Sequence, residues 1–231
     1  MNNQFIKSNP ISSAFIAAVV ALPLVFAAYF SFEPAVVMSQ GPEQEFTITQ
    51  TVDEEIAFTA DPNDVTMDTT LTGLTGGTSN GTTTFSVATN SSTGYSVDIR
   101  FEVGGGDRVL VYNDDPSIGF TNVSGTQDDL VPPGSNEAAL FGYSLVGDNV
   151  VATFGDDGST CDSSTTGTGG ACFFMQSTPT SDETIITSSS PTDGSGNENS
   201  IVFRAVVGQD PDPGLPAGTY TATATLTANI N

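Results

Sequence analysis

Residues 219–230 read TYTATATLTANI, and this stretch decides the fold class. Its even-numbered positions are apolar, and its odd-numbered positions are Thr or Asn. Strict alternation of this kind predicts a β-strand with one buried face. At about 3.3 Å per residue, twelve residues make a strand of roughly 40 Å. We therefore predict that the C-terminal stretch is a long strand of a sheet with one buried face.

Similar alternation recurs upstream, separated by clusters of Gly, Asn, Asp and Pro. The predicted strands are 46–52, 55–59, 64–71, 83–89, 95–102, 108–112, 139–145, 149–154, 172–176, 183–188 and 201–207. The predicted turns are 73–81, 90–94, 104–107, 113–117, 132–136 and 155–170, and 187–199 is predicted to be a long mobile loop. Many short strands at this spacing predict an all-β, antiparallel sandwich over residues 46–231.

The charge is one-sided, with 27 acidic residues against four basic ones, and it limits the classes of function. A surface so negative repels phosphate backbones, which excludes nucleic acid as a partner. We interpret the charge as a means of solubility, with a cationic partner or Ca²⁺ as the alternative. The chain has no His, so a Ser–His–Asp or Cys–His catalytic arrangement is excluded and we expect no enzyme.

The N-terminus predicts export. Residues 1–13 carry one Lys and no acid, and the apolar run 14–30 follows, as in a secretory signal. Cleavage is predicted after Ala27, with Ser39 as the second choice. Residues 1–27 are thus a signal peptide, or else an uncleaved hydrophobic anchor helix whose run 14–30 is the chain's only membrane contact. Residues 28–45 form an extended linker, and either outcome places residues 46–231 outside the cytoplasm, at the cell surface.

Two cysteines, Cys161 and Cys172, flank a segment of loop-forming residues. In an oxidising compartment they predict a disulfide that closes one surface loop, with reduced thiols as the alternative. No cofactor is expected. Ca²⁺ is the one metal considered, at the acidic pairs Asp61/Asp64, Asp114/Asp115, Asp156/Asp157 and Asp210/Asp212. Each pair adjoins turn residues, which favours a role in the turn itself. Asn80, Asn90 and Asn122 match the N-glycosylation pattern and are predicted in turns.

The C-terminal third resembles the spore coat U family, which includes the archaic chaperone–usher pilins. PAGTYTATATLT (216–227) is similar to the closing strand of that family, and ALFGYSLVGDNVVATFGDD (139–157) is similar to one of its strand pairs. FSVATNSSTGYSVDI (85–99) lies where the family has a strand, a turn and a Tyr-led strand. The chain departs from the family at its two usual cysteines, whose places are taken by Ile56 and Ala88.

The resemblance implies an incomplete immunoglobulin-like sandwich, which the N-terminal strand of the next subunit completes by β-strand addition. The candidate donor strand here carries Phe46, Ile48 and Val52 on one face. The alternative, which the adjoining strand signal favours, is that residues 46–52 are the first strand of their own domain.

The sequence therefore predicts an exported structural subunit of a pilus or coat. Its expected partners are further copies, other surface subunits and, as the resemblance implies, a periplasmic chaperone. The alternative is a monomeric binding module or adhesin, secreted or membrane-tethered.

Overall fold

The computed structural model describes residues 43–123, 130, 139–154, 172–209 and 214–231. The chain divides into two units, Met1–Thr51 and Val52–Asn231. Of the first unit, residues 43–51 are described, and they contain no helix or strand. The following description concerns the second unit.

The described part of the second unit is built from strands and contains no α-helix. The strands are β1 (Ile56–Ala60), β2 (Gly77–Thr89), β3 (Tyr95–Phe101), β4 (Val111–Tyr112), β5 (Asp115–Gly119), β6 (Thr121–Asn122), β7 (Leu140–Gly147), β8 (Glu183–Ser188), β9 (Asn197–Val207), β10 (Tyr220–Thr221) and β11 (Ala224–Ile230). Two short 3-10 turns, Gly105–Asp107 and Ala152–Phe154, lie between them. The predicted all-β class is therefore confirmed.

The strands form three sheets, with the orders β1-β2-β9-β7-β6, β10-β4-β5 and β11-β3-β8. All pairs are antiparallel except β6 and β7, which pair in parallel over two residues. The long pair β2–β9 matches Gly77 with Val207 and continues without a shift to Val87 and Asn197. The pair β11–β3 is also continuous, from Ala224 opposite Phe101 to Ile230 opposite Tyr95.

One hydrophobic core joins the inner faces of the large sheet and the β11-β3-β8 sheet. On β3 the alternation predicted from sequence is realised, because Tyr95, Val97 and Ile99 are fully buried. Phe85 on β2 and Leu145 on β7 reach the same core from the large sheet. Burial of each such side chain contributes about 1.5–3 kcal/mol. The arrangement is sandwich-like, with polar residues on the outer faces.

Several sequence predictions were wrong in their boundaries. Residues 46–52 form no strand, although they were predicted as one. The predicted strand 149–154 is a single bridge at Val150 followed by a 3-10 turn that buries Phe154. The predicted turn 73–81 is shorter, since β2 starts at Gly77. The predicted loop 187–199 is also shorter, since β8 ends at Ser188 and β9 begins at Asn197.

The predicted strand 64–71 is replaced by a segment that side chains of β2 hold in place. The Thr83 hydroxyl accepts a hydrogen bond from the Asn63 backbone N–H and donates one to the Asn63 carbonyl. Ser79 does the same for the N–H and carbonyl of Thr69. Side-chain hydroxyls therefore satisfy backbone groups that a ladder would otherwise satisfy.

The predicted C-terminal strand is broken in two. Tyr220–Thr221 pairs with β4, whereas Ala224–Ile230 pairs with β3. Because the two halves belong to different sheets, Ala222 and Thr223 are left between two ladders. The expected buried face is also incomplete: Ala222 and Ala224 are exposed, and Leu226, Ala228 and Ile230 are partly buried.

Candidate functional site

The outer edge of β11 has no partner strand in the part of the chain that the structure describes. β11 is the terminal strand of its sheet and pairs with β3 along its full seven residues. At the opposite side of that sheet, residues 149–151 cover β8: the Thr187 N–H donates to the Asn149 carbonyl, and the Val151 N–H donates to the Ile185 carbonyl. One side of this sheet is thus covered, and the other presents unpaired backbone groups.

The edge of β11 lacks the devices that usually block strand addition. Charged side chains, Pro and bulges protect most exposed edges. Residues 219–231 contain no charged residue and no Pro, and the β11–β3 register has no shift. By contrast β1, the terminal strand of the large sheet, has a shift in register between Phe58 and Ala60. β11 is therefore the better template for an additional strand.

An apolar cleft of about 300 Å³ lies beside this edge. Ala222, Ala224 and Leu226 line it, and so does the segment 62–67 that follows β1. Core side chains of three strands also line it, namely Phe101, Phe141, Ile201 and Phe203. Because Ala222 and Ala224 have small side chains, the cleft opens next to the backbone of the free edge.

Tyr220 anchors the start of this edge. Its hydroxyl donates a 2.8 Å hydrogen bond to the Pro216 carbonyl, and its ring packs on Tyr112 and Phe120 at 5.3 and 5.5 Å. Burial raises the pKa of Tyr220 above its ordinary value of 10.0, so the side chain is neutral at physiological pH. The Tyr220 side chain, which lines the cleft, is therefore held in place and carries no charge.

The predicted donor residues are the most exposed large apolar side chains of the described chain. Phe46, Ile48 and Val52 are 83%, 82% and 78% exposed. Residues 43–51 make no strand pairing, and the side-chain hydrogen bonds of Gln44 and Gln50 go to adjacent residues. Exposed apolar side chains of this size in regular alternation point to a surface that is covered by a partner.

Hydrogen bonds fix the point at which this segment joins the second unit. The Asn90 side chain accepts from the Glu55 N–H and donates to the Asp53 carbonyl, at 2.7 and 2.9 Å. The Ser91 hydroxyl donates to the Glu54 carboxylate at 2.9 Å. Residues 53–55 are therefore held against the β2–β3 turn, and the residues before Asp53 are not needed to complete the described hydrogen bonds of the turn.

Of the acidic pairs, Asp114/Asp115 makes hydrogen bonds within its own turn. The Asp115 carboxylate accepts from the N–H and hydroxyl of Ser117, which lowers the pKa of Asp115. Asp114 accepts a 2.9 Å hydrogen bond from the Tyr112 hydroxyl. Within the described residues no group of three or more His, Cys, Asp or Glu could hold a metal. Asp156/Asp157 and Asp210/Asp212 lie outside the described residues.

Of the remaining predicted features, Cys172 is described and buried, 1% exposed. Cys161 and Ala27 lie outside the described residues, so the disulfide and the cleavage site stay predictions. Asn80 and Asn122 lie on strands rather than in turns. Asn90, Asn80 and Asn122 all use their side-chain amides in hydrogen bonds within the fold.

Comparison with known proteins adds no relative. The chain matches no protein-family model and no curated protein sequence. The resemblance to the spore coat U family therefore stays a prediction. Within the described residues, no helix is long and apolar enough to cross a membrane.

The sequence indicated the donor residues but not the cleft, because the cleft is assembled from residues far apart in the chain. Phe101, Phe141 and Phe203 alternate normally within their own strands, and nothing in that pattern distinguishes them from other core residues. The signal that could have indicated the open edge is the absence of charge over residues 219–231 in so acidic a chain.

Proposed function

We propose that the protein is an exported surface subunit that polymerises by β-strand addition. Residues 46–52 of one copy add to the free edge of β11 of the next copy and cover its apolar cleft. The observation that carries this proposal is that one chain has both an exposed apolar segment and a strand edge without a partner in its described part. Phe46 and Ile48 are exposed. The outer edge of β11 pairs with no strand of the described chain and lies beside an apolar cleft.

The two segments match in length and in pattern. FTITQTV (46–52) and ATLTANI (224–230) are both seven residues long, and both place apolar side chains at alternate positions, with Gln50 the one exception. An added strand would contribute backbone hydrogen bonds, and its alternate apolar side chains would fill the cleft. Each half of the interface therefore supplies what the other lacks.

Charge also supports this pairing. The chain carries 27 acidic residues, and two copies repel each other over most of their surfaces. Residues 46–52 and 219–231 contain no charged residue. These two stretches can approach without bringing carboxylates into direct opposition.

The interface would be head-to-tail, because the donor and the acceptor are different surfaces of one subunit. A heterologous contact of this kind generates an open chain of subunits unless its rotation closes a ring. This geometry supports a pilus-like or coat-like polymer rather than a closed dimer. Export depends on the apolar run 14–30 and its predicted processing after Ala27.

We assign the sandwich to the immunoglobulin-like class as part of this proposal. The Tyr220 hydroxyl bonds back to Pro216, four residues upstream. This corner resembles the tyrosine corner of immunoglobulin-like sandwiches. The assignment accounts for an unfilled strand position next to β11.

The first experiment is a gel of protein taken from its native cell surface, unboiled and boiled, with N-terminal sequencing of the bands. We expect a ladder without boiling, a monomer after boiling, and an N-terminus at Ala28 or Gln40. A single monomer band in both lanes would contradict the proposal. It would support instead a monomeric binding module, membrane-tethered if Met1 is retained and secreted if it is not.

A matched pair of variants tests the mechanism. Ile48→Asp places a carboxylate on the face that fills the cleft, and we expect loss of the ladder. Thr49→Asp adds the same charge one residue away on the opposite face, and we expect the ladder to remain. Both residues are exposed and unpaired, so both variants should fold as the wild type does. Equal ladders from the two variants would reject strand addition through this face.

A further inference from the structure

Arg100 is the exposed arginine of β3, and its guanidinium makes no hydrogen bond or ion pair with any residue in the described part of the chain. The other two described arginines are engaged. Arg108 donates to the carbonyls of Gly105 and Ser117, and Arg204 donates to Asn80 and lies over the Phe173 ring. An unused cation is unexpected in a chain with 27 acidic residues.

Two acidic residues flank Arg100 on the same face, Asp98 and Glu102, and neither pairs with Arg100 in the described part of the chain. Asp98 accepts hydrogen bonds from the Thr184 hydroxyl and from the Asn229 side chain, at 2.7 and 2.9 Å. On β11, the residue directly opposite Arg100 is Thr225, which has a short side chain. Beyond Thr225 lies the unpaired edge. Arg100 can therefore extend over Thr225 towards whatever strand is added there.

We propose that Arg100 recognises Glu45 of the incoming copy and speeds its association in the register that the cleft sets. This inference rests on the proposed function. It names a residue pair outside the cleft that contributes to assembly.

The cleft fixes the register first. Ala224 and Leu226 line the cleft on either side of Thr225. Phe46 and Ile48 both reach these two positions when Thr47 lies opposite Thr225, whether the added strand is parallel or antiparallel. A slip of two residues in either direction would bring Gln44 or Gln50 against Ala224 or Leu226, and a buried amide without a partner is unfavourable. In the register without a slip, the cleft-lining residue opposite a glutamine is Ala222, which is exposed.

In this register Glu45 is the acidic residue within reach of Arg100. Glu45 shares the outward face with Thr47 and lies two residues from it. An added strand lies about 10 Å from β3, two interstrand spacings, and Glu45 is about 7 Å further along it. The extended Arg and Glu side chains can span that diagonal. Glu43 lies about 13 Å along the strand from Thr47, which is beyond reach.

A charge-swap experiment tests the proposal. Subunits dissociated by heat are cooled at low salt, and the rate at which the unboiled ladder reappears is measured for wild type, R100E, E45R and the double variant R100E/E45R. Surface charge pairs act mainly on association and are modest. We expect each single variant to slow assembly roughly two- to fivefold, and the double variant to recover the wild-type rate.

E43R is the matched control, because it makes the same change in charge two residues outside the predicted pair. We expect E43R to assemble at least as fast as wild type, and we expect the deficit of E45R to shrink above about 0.5 M salt. If the double variant stays slow, or if E43R matches E45R, the pairing of Arg100 with Glu45 is overturned.

The two proposals fail in different ways. Absence of any ladder from the wild-type protein overturns strand addition, and the charge pair with it. A wild-type ladder that Ile48→Asp abolishes, together with rates that do not respond to R100E or E45R, leaves strand addition intact and removes only the charge pair.

Discussion

Asn80 on β2 lies directly opposite Arg204 on β9, and its side-chain oxygen accepts a 2.7 Å hydrogen bond from the Arg204 Nε. The same guanidinium lies over the Phe173 ring, 4.3 Å from its centroid. The side chain of a residue that matches a glycosylation pattern is thus a structural part of the large sheet.

We expect Asn80→Ala to destabilise the fold by about 1–2 kcal/mol, because a hydrogen bond to a charged donor is lost. The measurement is the urea midpoint at neutral pH. Asn63→Ala is the control, since Asn63 uses its backbone N–H and carbonyl in its hydrogen bonds to the Thr83 hydroxyl. Equal midpoints for the two variants would show that the bond to Arg204 does not contribute.

Gly81 is required by close approach. A Cβ atom at this position would overlap Val65 Cγ1 and would lie 3.0 Å from Met67 Sδ. We expect Gly81→Ala to displace the segment 62–67 and to cost about 1–3 kcal/mol, as overpacking does. Gly194→Ala is the matched control, because nothing lies within 4 Å of its added Cβ. The measurement is the urea midpoint of both variants. A midpoint for Gly81→Ala at or above that of Gly194→Ala would contradict the predicted overpacking at Gly81.

The buried Tyr143 makes the fold sensitive to alkali. Burial raises the pKa of Tyr143 far above its ordinary value of 10.0. The neutral form is therefore favoured in the folded state, and this contribution is fully present below pH 10 and lost progressively above it. Ultraviolet titration should show tyrosinate from Tyr143 only when the protein unfolds.

Tyr143→Phe separates this effect from other alkaline effects. The variant loses the 3.2 Å hydrogen bond from the Tyr143 hydroxyl to the side-chain amide oxygen Oε1 of Gln176, and this loss should cost about 1 kcal/mol at neutral pH. It should lose less stability than wild type as the pH rises above 10. Parallel stability curves for the two proteins would contradict the assignment.

Asp68 makes the stability of the fold depend on pH in the acid range, where its contribution falls as the pH falls. The Asn80 backbone N–H, which donates to the Asp68 carboxylate at 2.8 Å, holds the pKa of Asp68 below its ordinary value of 3.8. Its contribution is present above pH 3.8 and is lost as the pH falls through the lower folded-state pKa. We expect Asp68→Asn to lower the urea midpoint at pH 7 but not at about pH 2. An equal deficit at both pH values would exclude this carboxylate as the cause.

Side-chain alternation predicted the interior strands of the sheets, which have a partner strand on each side. β3 was predicted to within one residue of its ends, whereas β9 was predicted only from residue 201 and begins at Asn197. The prediction failed at residues 46–52, where the side chains alternate but the described chain shows no strand pairing. These residues alternate, except at Gln50, yet they form no strand, because side-chain alternation does not supply the backbone partners that a ladder needs.

The opposite failure occurred at the start of β2. Gly77, Thr78 and Asn80 are turn-forming types, and the sequence predicted a turn. Pairing with β9 opposite Val207 and its neighbours overrides that local preference. The candidate site was likewise predicted only in part. Alternation in the sequence indicated the donor residues, but it did not indicate the cleft.

By itself, the sequence determined that the chain is an all-β protein, strongly acidic and without histidine chemistry, and that two stretches, 46–52 and 219–231, are free of charge. Composition and period two suffice for these conclusions because they depend on each residue and its near neighbours. Only the tertiary structure decided that β11 ends a sheet, that an apolar cleft lies beside it, and that Thr225 separates Arg100 from the open edge. Strand order and packing join residues more than a hundred positions apart, and no local pattern contains that information.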